Sequence, residues 1–213
     1  IEYVACALPD WEGAFNTSLR FRNWSFSMQW DGKVGGKTYS QSHHKMCEQG
    51  HLAETLNGRK PGTSLYLDVT DPDVLKLFEK QKITPVAGVY CIAPGVVDNG
   101  DGTYSPNQKL VTLESYYKEY YRIGNVETNT FSTTYIKLRE VRLDYQLPKS
   151  WLKNTFITNA SVGVYGRNLL CITSYPMYDP ETTSLNGNTF VPGVEVGTLP
   201  TSRSWGVNLK VDF

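Results

Sequence analysis

The chain has 213 residues, with 21 Lys and Arg against 21 Asp and Glu, so its formal net charge at pH 7 is +0. That balance supplies no basic surface for nucleic acid and no bias toward an anionic surface. Mean hydropathy is -0.37, and no run nears the roughly 18 apolar residues that a membrane-spanning helix needs; this excludes helical spans but not strands, which alternate lipid-facing and polar residues.

The aromatic content, 14 Tyr and 5 Trp, fits the interfacial girdles of a transmembrane barrel and equally the ligand face of a sugar-binding β-sandwich. The opening IEYVACALPDW has neither a basic n-region nor a continuous apolar h-region, so either a signal has been removed or the chain begins within a longer protein. Cys6, Cys47, Cys91 and Cys171 show no CxxC spacing, and neither a zinc ribbon nor a thioredoxin-like site is indicated.

In GAFNTSLRFRNWSFSMQWDG, Phe15, Thr17, Leu19 and Phe21 share one face, and Trp24, Phe26, Met28 and Trp30 share another. A two-residue turn at Arg22-Asn23 pairs Phe21 with Trp24 and puts both apolar sets on one side of a hairpin. The expected strands cover 13–21 and 24–34. A long excursion, 35–130, follows. Within it SHHKMCEQGH suggests a helix around Ser42 to Leu56 that would bring His44, Cys47 and His51 to one face, although a single cluster without a fourth ligand reads as a polar helix carrying these residues by chance. DNGDGTYSPN resembles a calcium loop, but Asp98 and Asp101 stand three apart and no Glu closes it, which favours a Gly-Asp turn. In YYKEYY, Tyr116, Tyr117, Tyr120 and Tyr121 can stack on sugar rings or pack one helical turn against a wall or partner, and packing is the favoured reading.

Alternation returns in TYIKLREVRLDYQLP, where Val141, Leu143, Tyr145 and Leu147 oppose Glu140, Arg142, Asp144 and Gln146. So many charges on the second face suit water better than a sheet-on-sheet core. Arg139, Arg142 and Arg167 are placed on that wet side, with Arg139 and Arg167 as candidate substrate contacts. A short PKSWLKN connection leads to a fourth strand in NASVGVYGRNLLCI, with Ala160, Val162 and Val164 on one face, and SWGVNLKVDF makes a fifth that stops on Phe213. These strands are expected near 133–147, 158–172 and 203–213, with a second long loop at 174–201. Connections thus alternate between short and long, the habit of outer-membrane barrels with short periplasmic turns and long outer loops. On that reading Val141, Leu143, Ala160, Val162, Val207 and Leu209 face lipid.

Taken together and in order, PDWEGAFNTSLRFRNWSFSMQWDGKVGGKTY, YIKLREVRLDYQLPKSWL, GRNLL, YDPE and the final Phe resemble the C-terminal part of SusC/RagA-type TonB-dependent outer-membrane transporters. The resemblance implies an all-β fold, the last five antiparallel strands of a barrel of about 22 strands whose N-terminal plug is absent here. It further implies import of oligosaccharides or peptides, with a SusD-like lipoprotein over the mouth, TonB engaging the missing N-terminal part, and the remaining barrel, plug and outer-membrane lipid as further partners. Phe213 would then be an assembly signal read by the insertion machinery. No catalytic motif, cofactor loop or metal motif stands out, and the YDPE carboxylates Asp179 and Glu181 fall in an outer loop by this likeness, so an enzyme is not expected. A secreted or surface glycan-binding β-sandwich is the alternative.

Overall fold

A computed structural model describes residues 5–181, 184–186 and 189–213; the first four residues lie outside it, as do positions 182, 183, 187 and 188 of the anticipated loop 174–201. The chain divides into two compact units, 1–40 with 130–213, and 41–129.

In the first unit five long strands form one antiparallel sheet whose spatial order follows the chain: β1 (Pro9–Phe21), β2 (Trp24–Gly35), β3 (Tyr135–Gln146), β4 (Asn159–Thr173) and β5 (Ser204–Asp212). Arg22 takes the left-handed conformation (φ 52) that a tight hairpin turn requires, and Phe21 pairs with Trp24. The registers then carry one apolar row across all five strands, Leu19 to Phe26 to Leu143 to Val164 to Val207. Where Val141 would pack on β4 there is Gly166. Its partner is Trp205, and a methyl group on Gly166 would come within 2.8 Å of the indole, so the aromatic ring covers the glycine.

Besides a register shift at the start of β1, between Pro9 and Trp11, the alternation is reset in mid-sheet. On β3 Arg139 has no partner in the ladder: Gln29 pairs with Glu140 and the next pair is Trp30 with Leu138. One extra residue flips the faces, so Ile136 and Leu138 join the apolar side while Tyr135 and Lys137 turn to the polar side. Opposite it β4 inserts Asn168 and Leu169, with Asn168 left-handed (φ 52); two extra residues preserve parity, so Leu170 and Ile172 stay apolar-side.

Much of the apolar side is exposed among the described residues, although Ala160, expected to face lipid, is only 4% exposed. Trp205, Val207 and Leu209 are 72%, 72% and 71% exposed, and Phe15, Leu19 and Ile172 are also more than half exposed. A sandwich would bury this face beneath a second sheet, and a soluble monomer rarely leaves so continuous a patch in water. Among the described residues no strand pairs with the outer edge of β1 or of β5, and open edges of this length are ready to pair with further strands. A small sheet completes the unit: Lys37–Ser40 lies between Val194–Glu195 and Thr130–Ser132, and the Ser40 hydroxyl donates to buried Glu195 at 2.6 Å.

The second unit has its own core. Helix α1 (Gln41–Glu48) stops at Gly50 (φ 76), and the helix anticipated to continue to Leu56 is instead a separate 3-10 turn, Ala53–Leu56. Helix α2 (Pro72–Lys80) starts from Asp71, whose carboxylate caps the Asp73 N–H, and α3 (Leu113–Tyr120) starts from Thr112, which caps Ser115. Cys47, Leu65, Cys91, Leu113, Tyr117 and Tyr121 form the buried cluster. The calcium-like DNGDGTYSPN segment is a hairpin turn: the Asp98 carboxylate accepts from Gly100, and Asp101 accepts from both the backbone and the hydroxyl of Thr103.

Candidate functional site

Two places combine chemistry with access, one in each unit. On the polar side of the sheet, the bulge at Arg139 gathers cations from β3 against carboxylates from β2 and from the segment after β4. Arg139 grips Asp31 with two hydrogen bonds, 2.6 and 2.7 Å, and also bonds Glu181. Lys137, only 2% exposed at its side chain, donates to Asp179 at 2.6 Å and to Glu181. Tyr135 donates to Glu181 at 2.7 Å, and Thr201 donates to Asp179 from both backbone and hydroxyl. The YDPE segment is thereby clamped to the inner surface of the sheet. Burial pushes the Asp179 and Glu181 carboxyls up, but hydrogen bonds from Lys137 and Thr201 to Asp179, and from Arg139, Lys137 and Tyr135 to Glu181, outweigh it and hold both below their ordinary values.

Arg139 is therefore occupied in holding the structure. Arg167 differs: it pairs with Glu140 at 2.7 Å, lies 5.2 Å from the Tyr165 ring, and remains largely exposed on the polar face. Phe213 lies just past β5, stacked on Phe156 with centroids 5.5 Å apart, and is exposed.

In the second unit α3 separates the four tyrosines by helical phase. Tyr117 and Tyr121 point into the core, 4% and 8% exposed. The Tyr117 hydroxyl donates to the carbonyl of Asn57 at 2.8 Å, and that of Tyr121 donates to the Glu54 carboxylate at 3.1 Å. Burial first, then the neighbouring Tyr116 and Cys91, pushes the Tyr117 phenol up to about 12. Tyr116 and Tyr120 stack on each other, 5.6 Å between centroids and 19° between planes, and Tyr120 is 44% exposed. Together with Glu54, Leu56, Asn57 and Thr63 they border an open cleft of about 490 Å³. Of the four candidate tyrosines, Tyr120 is exposed, Tyr116 is partly buried, and Tyr117 and Tyr121 are buried.

His44, Cys47 and His51, read from the sequence as a chance cluster, do not converge: His44 approaches Glu48 at 3.6 Å and His51 is exposed. The helix phase instead brings together His43, Cys47 and Glu54, which the i, i+4 spacing of His43 and Cys47 could have indicated.

No family model matches the chain. It is 24% identical over 215 residues to TonB-dependent receptor P3 of Formosa agariphila, covering 96% of this chain and 16% of that receptor. Its fold matches solved structures of the RagAB peptide importer, with TM-scores of 0.51 for the open-open state and 0.56 for the closed-closed state at 15% and 16% identity; each match covers 97% of this chain and 17% or 18% of the importer chain. The chain is similar to part of a SusC/RagA-type TonB-dependent transporter. It spans about one sixth of the length of the relatives it matches. The YDPE clamp lies on the charged side of the sheet, opposite the apolar row.

Proposed function

We propose that the chain supplies wall strands and extracellular loops to a TonB-dependent outer-membrane importer of oligosaccharides or peptides that works with a SusD-like surface lipoprotein. The observation that carries this reading is the apolar row running from Leu19 to Val207 across five strands, exposed at four of its five positions opposite a face of Arg, Lys, Asp and Glu. Lipid on one side and water on the other is the environment that satisfies both faces at once.

The excursion 35–130 is the natural source of outer-surface contacts, being far longer than the roughly 15 residues above which loops are usually functional. Its cleft offers the Tyr116 and Tyr120 rings, the Glu54 carboxylate and polar Asn57 and Thr63, a set suited to ring stacking and hydroxyl or amide hydrogen bonding. Arg167 adds an exposed cation on the lumen-facing side.

The test is uptake by cells that carry the full-length protein, measured with labelled oligosaccharides and labelled peptides in the presence and absence of a functional TonB. TonB-dependent uptake of one class, reduced by Tyr120→Ala with unchanged barrel in the membrane, supports the reading. Wild-type uptake without the gene, or with the excursion 57–106 deleted, contradicts it.

A further inference from the structure

We propose that His43, Cys47 and Glu54 form a zinc site in the excursion, one that neither the transporter likeness nor the tyrosine cleft requires. The three donor atoms lie within 4.8 Å of one another, with Cys47 Sγ 3.7 Å from His43 Nε2, Nε2 3.4 Å from Glu54 Oε2, and Sγ 4.0 Å from Oε2. Ligands at ordinary bond lengths around a tetrahedral zinc ion stand about 3.5 Å apart for sulfur and nitrogen and about 3.3 Å for nitrogen and oxygen. The match is close for both pairs.

The backbone explains why they meet. His43 and Cys47 are four residues apart on α1 and so share one face, and the turn at Gly50 brings the Ala53–Leu56 segment back against that face. Sγ is nearly equidistant from the two ring nitrogens, 3.7 and 3.9 Å, so bringing it onto an ion at Nε2 takes a side-chain rotation.

The surroundings of the ring are those of a metal ligand. Asn129 donates through its amide nitrogen to the Tyr121 carbonyl at 3.0 Å, which leaves its oxygen facing His43 Nδ1, also at 3.0 Å. With its proton on Nδ1 the ring donates to that oxygen and offers Nε2 as the coordinating position, the outer-shell arrangement that fixes metal-bound histidines. His43 and Cys47 are buried while the Glu54 side chain is half exposed. A sulfur, nitrogen and oxygen set favours zinc over magnesium or calcium, which take oxygen ligands. Binding releases the Cys47 proton to solvent and forms a zinc–thiolate bond with no change of oxidation state. The consequence reaches the cleft, because Glu54 also accepts from Tyr121 and lines the tyrosine pocket.

The experiment loads the full-length protein, purified in detergent and stripped of metal, with cobalt(II) as the spectroscopic probe and then displaces it with zinc. The expected result is one equivalent bound with a thiolate-to-cobalt charge-transfer band. The band should disappear in Cys47→Ser and persist in Cys91→Ser, whose cysteine is equally buried. Asn129→Ala should keep the band but weaken affinity by about 10- to 100-fold. X-ray absorption of the zinc-loaded wild type keeps the proposal testable if Cys47→Ser does not fold: one sulfur at about 2.3 Å beside nitrogen and oxygen neighbours is expected. No stoichiometric binding, a band untouched by Cys47→Ser, or a shell without sulfur overturns it.

Discussion

Replacing Val164 by Arg tests which face of the sheet meets lipid. A strand rises about 3.3 Å per residue and tilts about 40° in such barrels, so each residue advances about 2.5 Å along the membrane normal. Val164 is five residues beyond Asn159, the start of β4. It therefore lies about 13 Å into an apolar band about 25 Å tall, close to the midplane, with Leu143 and Val207 beside it. An Arg at that depth should cost about 2–4 kcal/mol, or about 30-fold to several-hundred-fold in the folding equilibrium. Val162→Arg, two residues nearer the rim, should cost less. Ser161→Arg, opposite Gln146 and Lys210 on the polar side, should cost less again. Heat-modifiable mobility of the full-length protein in outer-membrane fractions, followed by denaturant titration of the purified barrel, gives the three values. Equal losses for Val164→Arg and Ser161→Arg would refute the assignment of faces.

Lys137→Met should destabilise the protein by about 3–5 kcal/mol in denaturant titration, because Asp179 loses its buried cation while keeping its charge. Acid should release the same clamp: Asp179 and Glu181 have lowered values, so their contribution is present above the unfolded values of about 3.9 and 4.3 and is lost as pH falls through the folded ones. A fluorophore near Tyr178 should therefore report loosening below about pH 4 in detergent-solubilised protein. Tyr117→Ala should cost about 3–5 kcal/mol in melting experiments, as a buried aromatic with two hydroxyl contacts, whereas Tyr120→Ala should leave the melting curve nearly unchanged and act on uptake. Phe213→Asp removes the stack on Phe156 and should lower the amount of heat-modifiable barrel in the outer membrane, measured against total protein.

The period-two pattern made the β1–β2 pairing and the apolar row legible, because a half-buried strand must alternate and a two-residue turn at Arg22-Asn23 leaves one register. The bulge was also written in the sequence, as a change of phase: Ile136 and Leu138 are apolar at even positions, Val141, Leu143 and Tyr145 at odd ones. Residue type alone had put Arg139 on the wet side, where the structure has it. What that reading missed was the consequence, that Lys137 turns inward beside it and that Asp179 and Glu181 return across more than 40 residues of chain to meet both. Such partners are set by tertiary return of a loop, which no local period encodes. The tyrosines show a related limit: YYKEYY announces a helical turn rich in rings, but only the position of the Ala53–Leu56 segment decides that Tyr117 and Tyr121 are buried and Tyr116 and Tyr120 are not. The histidine-rich helix was read as polar residues by chance, and that reading passed over His43, four residues before Cys47 and 3.7 Å from its sulfur, while His44 lies beside Glu48.

Spin labels placed one at a time along β5 of the full-length protein in bilayers test the wall assignment most directly. The account predicts that labels at Trp205, Val207, Leu209 and Val211 are relaxed by oxygen dissolved in lipid, while labels at Ser204, Asn208 and Lys210 are relaxed by a water-soluble nickel chelate, with a period of two along the strand. Uniform access of the nickel chelate to all seven positions would contradict it.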